Sequence, residues 1–225
     1  MTIKRVLLSW SSGKDSAWTL HKLRQQDDVE VVALLTTFNA SVARVAMHAV
    51  RETLVEAQAS AAGLPLWAVG LPSPCSNEEY ESRMRALIER AQAAGISHFA
   101  FGDLFLEDIR AYRIRMLAQT GIEPLVPLWG APDATAALAR EMLDGGLRAV
   151  LTCVDPKQLP AEFSGRYYDT ALLAALPATV DACGENGEFH TFCYAGPMFM
   201  HDIEITVGER LTRDGFCFTD VLPAA

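Results

Sequence analysis

Residues 7–18, "LLSWSSGKDSAW", join a hydrophobic run to an amphipathic one through a turn of serines and one glycine. The apolar run predicts a strand over residues 5–10, and the apolar spacing after the turn predicts a helix over residues 14–24. In an open parallel sheet, the first strand-to-helix turn is a favoured place for phosphate groups, since helix N-terminal N–H groups point at it. The stretch therefore predicts an α/β fold with an anion site at this turn.

Strand and helix patterns alternate from this turn to about residue 130. The strands are continuous apolar runs, which is typical of a parallel sheet covered by helices on both faces. The predicted strands are 30–38, 64–71, 96–103 and 122–130, and the predicted helices are 47–62, 79–94 and 105–118.

The pattern changes beyond residue 130. A helix over 133–143 and a strand over 147–154 precede a region broken by proline and glycine, and strands follow at 189–195, 202–211 and 215–221. We predict a first domain over residues 1–130 and a smaller α+β domain over residues 131–225. Exposed edge strands in the second lobe would suit a homodimer.

Charge and composition narrow the classes of partner. The net charge of −9 argues against a nucleic-acid binder, which needs clustered lysine and arginine. One arginine run, Arg110, Arg113 and Arg115, is expected to be a solvated helix face. No apolar segment is long enough for a membrane span or signal peptide, and the five cysteines form no C-x-x-C pair, so we expect a cytoplasmic protein.

The turn does not follow the Walker A pattern. Leu8 stands where that pattern requires its first glycine, and Asp15 stands where it requires serine or threonine. A carboxylate beside phosphates repels them unless a cation intervenes, so Asp15 is a candidate Mg²⁺ ligand. The alternative is that Ser11 and Asp15 only cap the helix.

A second polar segment, residues 181–199, has the sequence "DACGENGEFHTFCYAGPMF". Its glycines permit close turns, and Glu185 and Glu188 could converge on a cation or an amine nucleophile. A surface turn with solvated glutamates explains the same composition.

The loop "SSGKDS" resembles the PP-loop, usually "SGGKDS", of ATP pyrophosphatases in the HUP superfamily, with Ser12 in place of a glycine. Together with "FGDL" (101–104) and "GENGEFHT" (184–191), it gives the chain a resemblance to the diphthine ammonia ligase family over nearly its whole length. The resemblance implies a Rossmann-like HUP domain with a small second lobe, and ATP and Mg²⁺ as cofactors. It also implies that a substrate carboxylate is activated as an acyl adenylate and captured by ammonia.

The resemblance assigns roles by position. The residues expected to bind ATP are Ser9, Ser11, Ser12, Gly13, Lys14, Asp15, Ser16, Thr36, Thr37, Gly102 and Asp103. The expected catalytic residues are Lys14, Asp15, Glu185, Glu188 and His190, and Asn186 and Gly187 are expected to face the substrate. The residue pattern adds Arg166, which could hold a substrate carboxylate through paired N–H donors or form a surface salt bridge.

One departure from the family bears on the acceptor. His190 stands where diphthine enzymes tend to have an acidic residue, which weakens the case for the cationic substrate diphthine. The form "ENGEFHT" resembles the bacterial branch, and bacteria lack diphthamide, so we expect another acceptor, either a small molecule or a protein-borne carboxylate. Two alternatives remain: a PP-loop tRNA-modifying enzyme and a non-catalytic ATP-binding sensor.

Four further side chains have weaker patterns. Trp10 and Trp18 flank the turn and are expected in the core rather than stacked on a base. His48 is expected to be structural, and Cys183 is a minor candidate nucleophile because no activating base is evident.

Overall fold

The computed structural model describes residues 2–39, 44–45, 50–72 and 74–224. These residues form eleven strands and six α-helices, arranged around two sheets. Strand β1 (Lys4–Ser9) leads through the serine-rich turn into helix α1 (Lys14–Arg24), which confirms the predicted strand, turn and helix.

The first sheet is parallel except at one edge. Its remaining elements are β2 (Val29–Asn39), β3 (Arg44–Val45), α2 (Glu52–Ala62), β4 (Leu66–Leu71), α3 (Asn77–Ala93), β5 (His98–Ala100), α4 (Glu107–Leu117) and β6 (Glu123–Leu125). The parallel strands lie in the order β6-β5-β1-β2-β4, and β3 pairs antiparallel with the end of β2. Strand β1 is therefore central, with β5 on one side and β2 on the other.

Both faces of this sheet are buried. Side chains alternate between the faces of a strand, and in β1 Val6 and Leu8 join one apolar cluster while Leu7 joins another. Helices α1 and α2 contribute to the first cluster, and α3 supplies Leu87 and Ala91 to the second. The predicted doubly covered α/β sheet is confirmed.

The second sheet is smaller and antiparallel. Its elements are α5 (Thr135–Asp144), β7 (Arg148–Val154), β8 (Tyr167–Tyr168), α6 (Thr170–Ala175), β9 (Phe189–Ala195), β10 (Ile205–Arg213) and β11 (Phe216–Pro223). Strand β7 pairs with β8, β9 and β11, and β10 pairs with β11. This sheet matches the expected smaller α+β lobe.

The second sheet is tied to the turn after β1. The Cys193 N–H in β9 donates to the Ser12 carbonyl at 2.9 Å, and the Thr191 hydroxyl accepts from the Lys14 N–H at 3.0 Å. One apolar cluster includes buried residues of both sheets. Because the sheets share a core, the division into separate domains at residue 130 stays a prediction.

The start of one predicted helix and the region predicted as broken differ in the structure. The helix predicted over 47–62 begins at Glu52, because Arg51 is extended (φ −64°, ψ 141°) and the Val50 carbonyl accepts from the Val45 N–H at 2.9 Å. His48 lies outside the described residues. The region predicted as broken contains β8 and α6, and the Asp169 carboxylate caps α6 by accepting from the Leu172 N–H at 2.7 Å.

None of the helices in the described part of the chain could cross a membrane.

Candidate functional site

A cleft of about 540 Å³ opens at the carboxyl end of β1. The turn before α1, the ends of β2 and β5, helices α3 and α4, and the segment before β9 form its walls. Its size lies within the usual range of small-molecule sites, roughly 300–1,000 Å³. The sequence-predicted residues that line it are Ser9, Ser11, Lys14, Asp15, Ser16, Thr37, Gly102, Asp103, Glu185 and His190.

The turn is held in one shape by its own hydroxyls. Ser11 Oγ accepts from the Gly13 N–H at 3.3 Å, and Ser16 Oγ donates to the Gly13 carbonyl at 3.0 Å. Between them, Ser12 has a left-handed backbone (φ +71°), and Gln58 Nε2 donates to its carbonyl at 2.9 Å. Ser12 and Gly13 therefore shape the turn from behind and do not line the cleft.

Lys14 is a buried charge at the junction of the two sheets, with only 2% of its side chain exposed. Its ammonium donates to Asp15 Oδ2 at 2.9 Å and to the Cys183 carbonyl, and lies 5.5 Å from the Tyr168 ring centroid. Burial alone would lower the Lys14 pKa, but the Asp15 carboxylate and the charges around it raise the pKa above its ordinary value. Lys14 thus stays charged.

Asp15 has an oxygen left over for a ligand. Burial raises the pKa of Asp15, and the Lys14 ammonium opposes that shift. Oδ2 accepts from Lys14, while Oδ1 is buried and has no hydrogen-bond partner within the described residues. A lone carboxylate oxygen of this kind fits Mg²⁺, which commonly takes one or two carboxylates plus phosphate oxygens and water. The described residues contain no group of three or more acidic, histidine or cysteine side chains that could hold a metal.

Glu185 faces the turn from the second lobe. Its Oε1 accepts from the Leu104 N–H at 2.7 Å. Burial raises the pKa of Glu185 to about 7, against the opposing effect of the Leu104 hydrogen bond. A carboxyl group that titrates near neutral pH is suited to accept or donate a proton.

Glu185 lines the cleft and Glu188 does not, so the structure does not bring the two glutamates together there. Glu188 is buried, and its Oε1 accepts from the Asp181 N–H at 2.9 Å and from Asn186 Nδ2 at 3.1 Å. Gly187 turns the chain between them with φ +85°. Glu188, Asn186 and Gly187 therefore stabilise the loop internally and do not line the cleft.

Two other predicted contacts also lie away from the cleft lining. Thr36 is buried, and its hydroxyl donates to the Trp10 carbonyl at 2.7 Å. The guanidinium of Arg166 lies 4.6 Å from the Phe163 ring centroid, in the second lobe. Neither side chain is placed to contact a ligand in this cleft.

Helices α3 and α4 contribute residues that the sequence did not single out as site residues. Tyr80, Met84, Met116 and Arg113 line the cleft. Arg113 was expected on a solvated face, but it packs over the Phe101 ring with a Cζ-to-centroid distance of 4.6 Å. In the sequence, the placement of Arg113 in the cleft is indicated only by its position beside apolar residues of the same helix.

The remaining candidates are structural. Trp10 and Trp18 are buried in the core as expected, although Trp10 also borders the cleft. Burial raises the pKa of the Cys183 thiol to about 12, which leaves it protonated and unsuited to nucleophilic attack. Cys183 contributes to the site through its backbone carbonyl, which accepts a hydrogen bond from the Lys14 ammonium.

Comparison with known proteins agrees with the motifs in the turn and the second lobe. The model of the diphthamide synthase N-terminal domain matches residues 4–124, and that of the diphthamide synthase C-terminal domain matches residues 134–221. The chain belongs to the diphthamide synthase family. Both sides of the cleft, the turn and the glutamate loop (residues 184–188), lie within the ranges matched by the diphthamide synthase models.

Individual relatives are more distant. A curated diphthine–ammonia ligase from Danio rerio is 27% identical over 183 residues, which cover 74% of this chain and 71% of that protein. A crystal structure of glycinamide ribonucleotide transformylase 1 from Symbiobacterium toebii has 18% identity and a TM-score of 0.33, covering 66% of this chain and 62% of that one. This chain thus covers less than two thirds of that structure, and the likeness carries no argument about function.

Proposed function

We propose that the chain is an ATP-dependent ligase that joins a substrate carboxylate to ammonia as an amide. Its place in the diphthamide synthase family supports a ligase. The observation that carries the proposal is the Lys14–Asp15 pair at the start of α1, facing a cleft that Glu185 and His190 complete from the second lobe. The proposed phosphate site and the proposed acid–base group would therefore lie in the same cleft.

The phosphates of ATP would bind at the turn. Ser9, Ser11 and Ser16 line the cleft there, and the first N–H groups of α1 carry the positive end of the helix dipole. Asp15 would hold Mg²⁺, which when bound supplies positive charge that offsets the phosphates. The nucleoside would extend toward the end of β2, where Thr37 and Val45 line the wall.

The proposed reaction has two steps. A carboxylate oxygen of the acceptor attacks the α-phosphorus of ATP, and the bond to pyrophosphate breaks, which gives an acyl adenylate. Ammonia then attacks the acyl carbon, AMP leaves, and an amide forms. Glu185 would accept the proton that the attacking nitrogen loses, because its pKa of about 7 keeps much of it ionised at neutral pH.

The acceptor is proposed to be a carboxylate other than diphthine. His190 lines the cleft at the position where diphthine enzymes tend to carry an acidic side chain. A trimethylammonium group would lose an attractive carboxylate there.

The test is pyrophosphate release from Mg²⁺-ATP with ammonium and a panel of carboxylates. Lys14→Met and Asp15→Asn should each lower the rate by roughly 100-fold or more, since charged groups at the reacting phosphates are removed. Lys22→Met is the matched control, because Lys22 lies on the same helix but pairs with Glu141 outside the cleft.

Intact pyrophosphate release by Lys14→Met would overturn the proposal. Tight ATP binding without release for any acceptor would favour a nucleotide sensor. Transfer RNA that co-purifies with the protein would favour a tRNA-modifying enzyme.

A further inference from the structure

The cleft holds a second cationic side chain, Arg113 of α4, at 27% exposure. Its Nε donates to Asp103 Oδ2 at 3.3 Å, and its Cζ lies 4.6 Å from the Phe101 ring centroid. These contacts hold the guanidinium plane, while its two terminal amino groups make no hydrogen bond with the described residues. A fixed guanidinium with its outer donors unused is ready to bind an anion.

The surroundings of Arg113 combine a neutral donor with an apolar wall. The Tyr80 hydroxyl lies 3.2 Å from that of Tyr112, and burial raises the pKa of Tyr80 to about 12, so the phenol keeps its proton. Met84 and Met116 line the same part of the cleft. A ligand here would meet a cation, a hydroxyl and apolar surface.

Arg113 is on the opposite side of the phosphate turn from the proposed nucleoside position. Strand β1 lies between β2 and β5 in the sheet, so the ends of β2 and β5 flank the turn on opposite sides. Thr37 and Val45 belong to the β2 side, whereas Phe101 and Asp103 follow β5. A nucleotide that extends toward β2 leaves the Arg113 side of the cleft for the second reactant.

We propose that Arg113 binds a carboxylate of the acceptor substrate, with the body of that substrate against Met84 and Met116. The planar guanidinium offers two parallel N–H donors, which match a carboxylate. The role of this subsite in catalysis rests on the proposed function. A carboxylate bound at Arg113 would make the acceptor an anionic molecule. The subsite also takes over the role that the sequence had suggested for Arg166.

Direct binding tests this subsite without turnover. Acetate and glutarate serve as probes, added to protein saturated with Mg²⁺ and α,β-methylene ATP, and the arginine side-chain ¹⁵N signals are followed by NMR. We expect the Arg113 signals to shift to saturation, and Arg113→Gln to bind the probes about tenfold more weakly, as expected for a lost charge-assisted hydrogen bond. Arg113→Lys should weaken binding in the same direction, since lysine lacks the planar pair of donors.

Arg115→Gln is the matched control, because Arg115 is exposed on the same helix and the charge change is identical. The proposal would be overturned if the Arg113 signals did not shift on addition of either acetate or glutarate. It would also be overturned by an Arg113→Gln variant that binds the ATP analogue about tenfold more weakly but keeps probe binding, since Arg113 would then serve the phosphates. The ligase proposal is tested by a different measurement, since it would fail if the Lys14→Met variant still released pyrophosphate.

Discussion

Ser12 occupies a backbone conformation that suits glycine. Its φ is +71°, and its buried hydroxyl has no hydrogen-bond partner within the described residues. A left-handed backbone costs a residue with a Cβ about 1–2 kcal/mol, and an unpaired buried hydroxyl adds to that cost. We expect Ser12→Gly to raise the free energy of unfolding by about 1 kcal/mol, after the greater chain entropy of glycine is subtracted, as measured by urea denaturation.

Ser12→Ala separates the two contributions, because alanine removes the hydroxyl but keeps the Cβ. Its gain should be smaller than that of the glycine variant. A glycine variant less stable than the parent would show that the serine side chain stabilises the turn.

Glu185 should set the pH dependence of amide formation. Because burial raises its pKa to about 7, the carboxylate form that accepts a proton grows as pH rises through 7. We expect kcat/KM, expressed per concentration of un-ionised ammonia, to increase between pH 6 and 8 and then to level off. Glu185→Gln should remove this rise and lower the rate by roughly 100-fold, the usual contribution of a positioned base.

Glu188→Gln is the control for this profile, since Glu188 is hydrogen-bonded inside its loop and does not line the cleft. Its midpoint should stay near that of the parent. An unchanged pH profile in Glu185→Gln would assign the titration to another group.

At the scale of elements, the contact between the segment after β5 and the start of α1 needs a glycine. A Cβ on Gly102 would lie 3.0 Å from both Asp15 C and Ser16 N, and these are backbone atoms that cannot move aside alone. We expect Gly102→Ala to lower the free energy of unfolding by about 1–3 kcal/mol, as overpacking does, and to weaken binding of the ATP analogue. Denaturation and calorimetry measure the two effects.

Gly130→Ala is the matched substitution, because a Cβ there would meet nothing closer than 3.9 Å. It should leave both stability and nucleotide binding near the parent values. Equal losses in the two variants would mean that close approach at Gly102 is not the cause.

The sequence predicted correctly those helices and strands whose apolar residues are regularly spaced and bounded by polar turns. Helix α1 and strand β9 have their predicted bounds, since a polar turn precedes each and the apolar pattern is uninterrupted. The predicted start of this helix at residue 47 is wrong because Val50 continues the apolar spacing, whereas Arg51 has an extended backbone and α2 begins at Glu52. Strand β8 has two residues and α6 has six, too few to show a period.

At the scale of the whole molecule, Asp220 of β11 ties the two sheets together at their edge. Its Oδ1 accepts from Arg44 Nη1 at 2.9 Å, and its Oδ2 accepts from Arg51 Nη2 at 2.5 Å. We expect Asp220→Ala to lower the free energy of unfolding by about 1–2 kcal/mol at pH 7, more than a typical exposed pair, because two arginines lose one partner. Urea denaturation measures the loss.

The stabilisation by Asp220 should depend on pH, and the direction of that dependence follows from its pKa. Burial would raise the pKa of Asp220, but hydrogen bonds from Arg51 and Arg44 outweigh burial and lower it. The stabilisation is therefore present above the ordinary aspartate pKa and is lost as pH falls through the lowered value. The difference between parent and Asp220→Ala should shrink in acid, and a constant difference would point to packing instead.

The site itself could be predicted only in part. The turn and the glutamate loop were evident because glycine, serine and acidic residues cluster there. Which glutamate enters the cleft depends on how Gly187 turns the chain, and Arg113 enters because α4 packs beside Phe101. Such contacts join distant segments, so no local pattern contains them.

The contact between Lys14 and the Cys183 carbonyl joins positions 169 residues apart in the chain. Synthesis on the ribosome runs from the N-terminus, and the early segments of a chain can fold before the later ones exist. Until β9 has emerged, the nascent protein carries Lys14 without the carbonyl and the hydroxyl that fix it. The proposed nucleotide site is therefore completed only after residue 191 has been synthesised, and a messenger that stops before that codon would yield the turn without the contacts that fix Lys14.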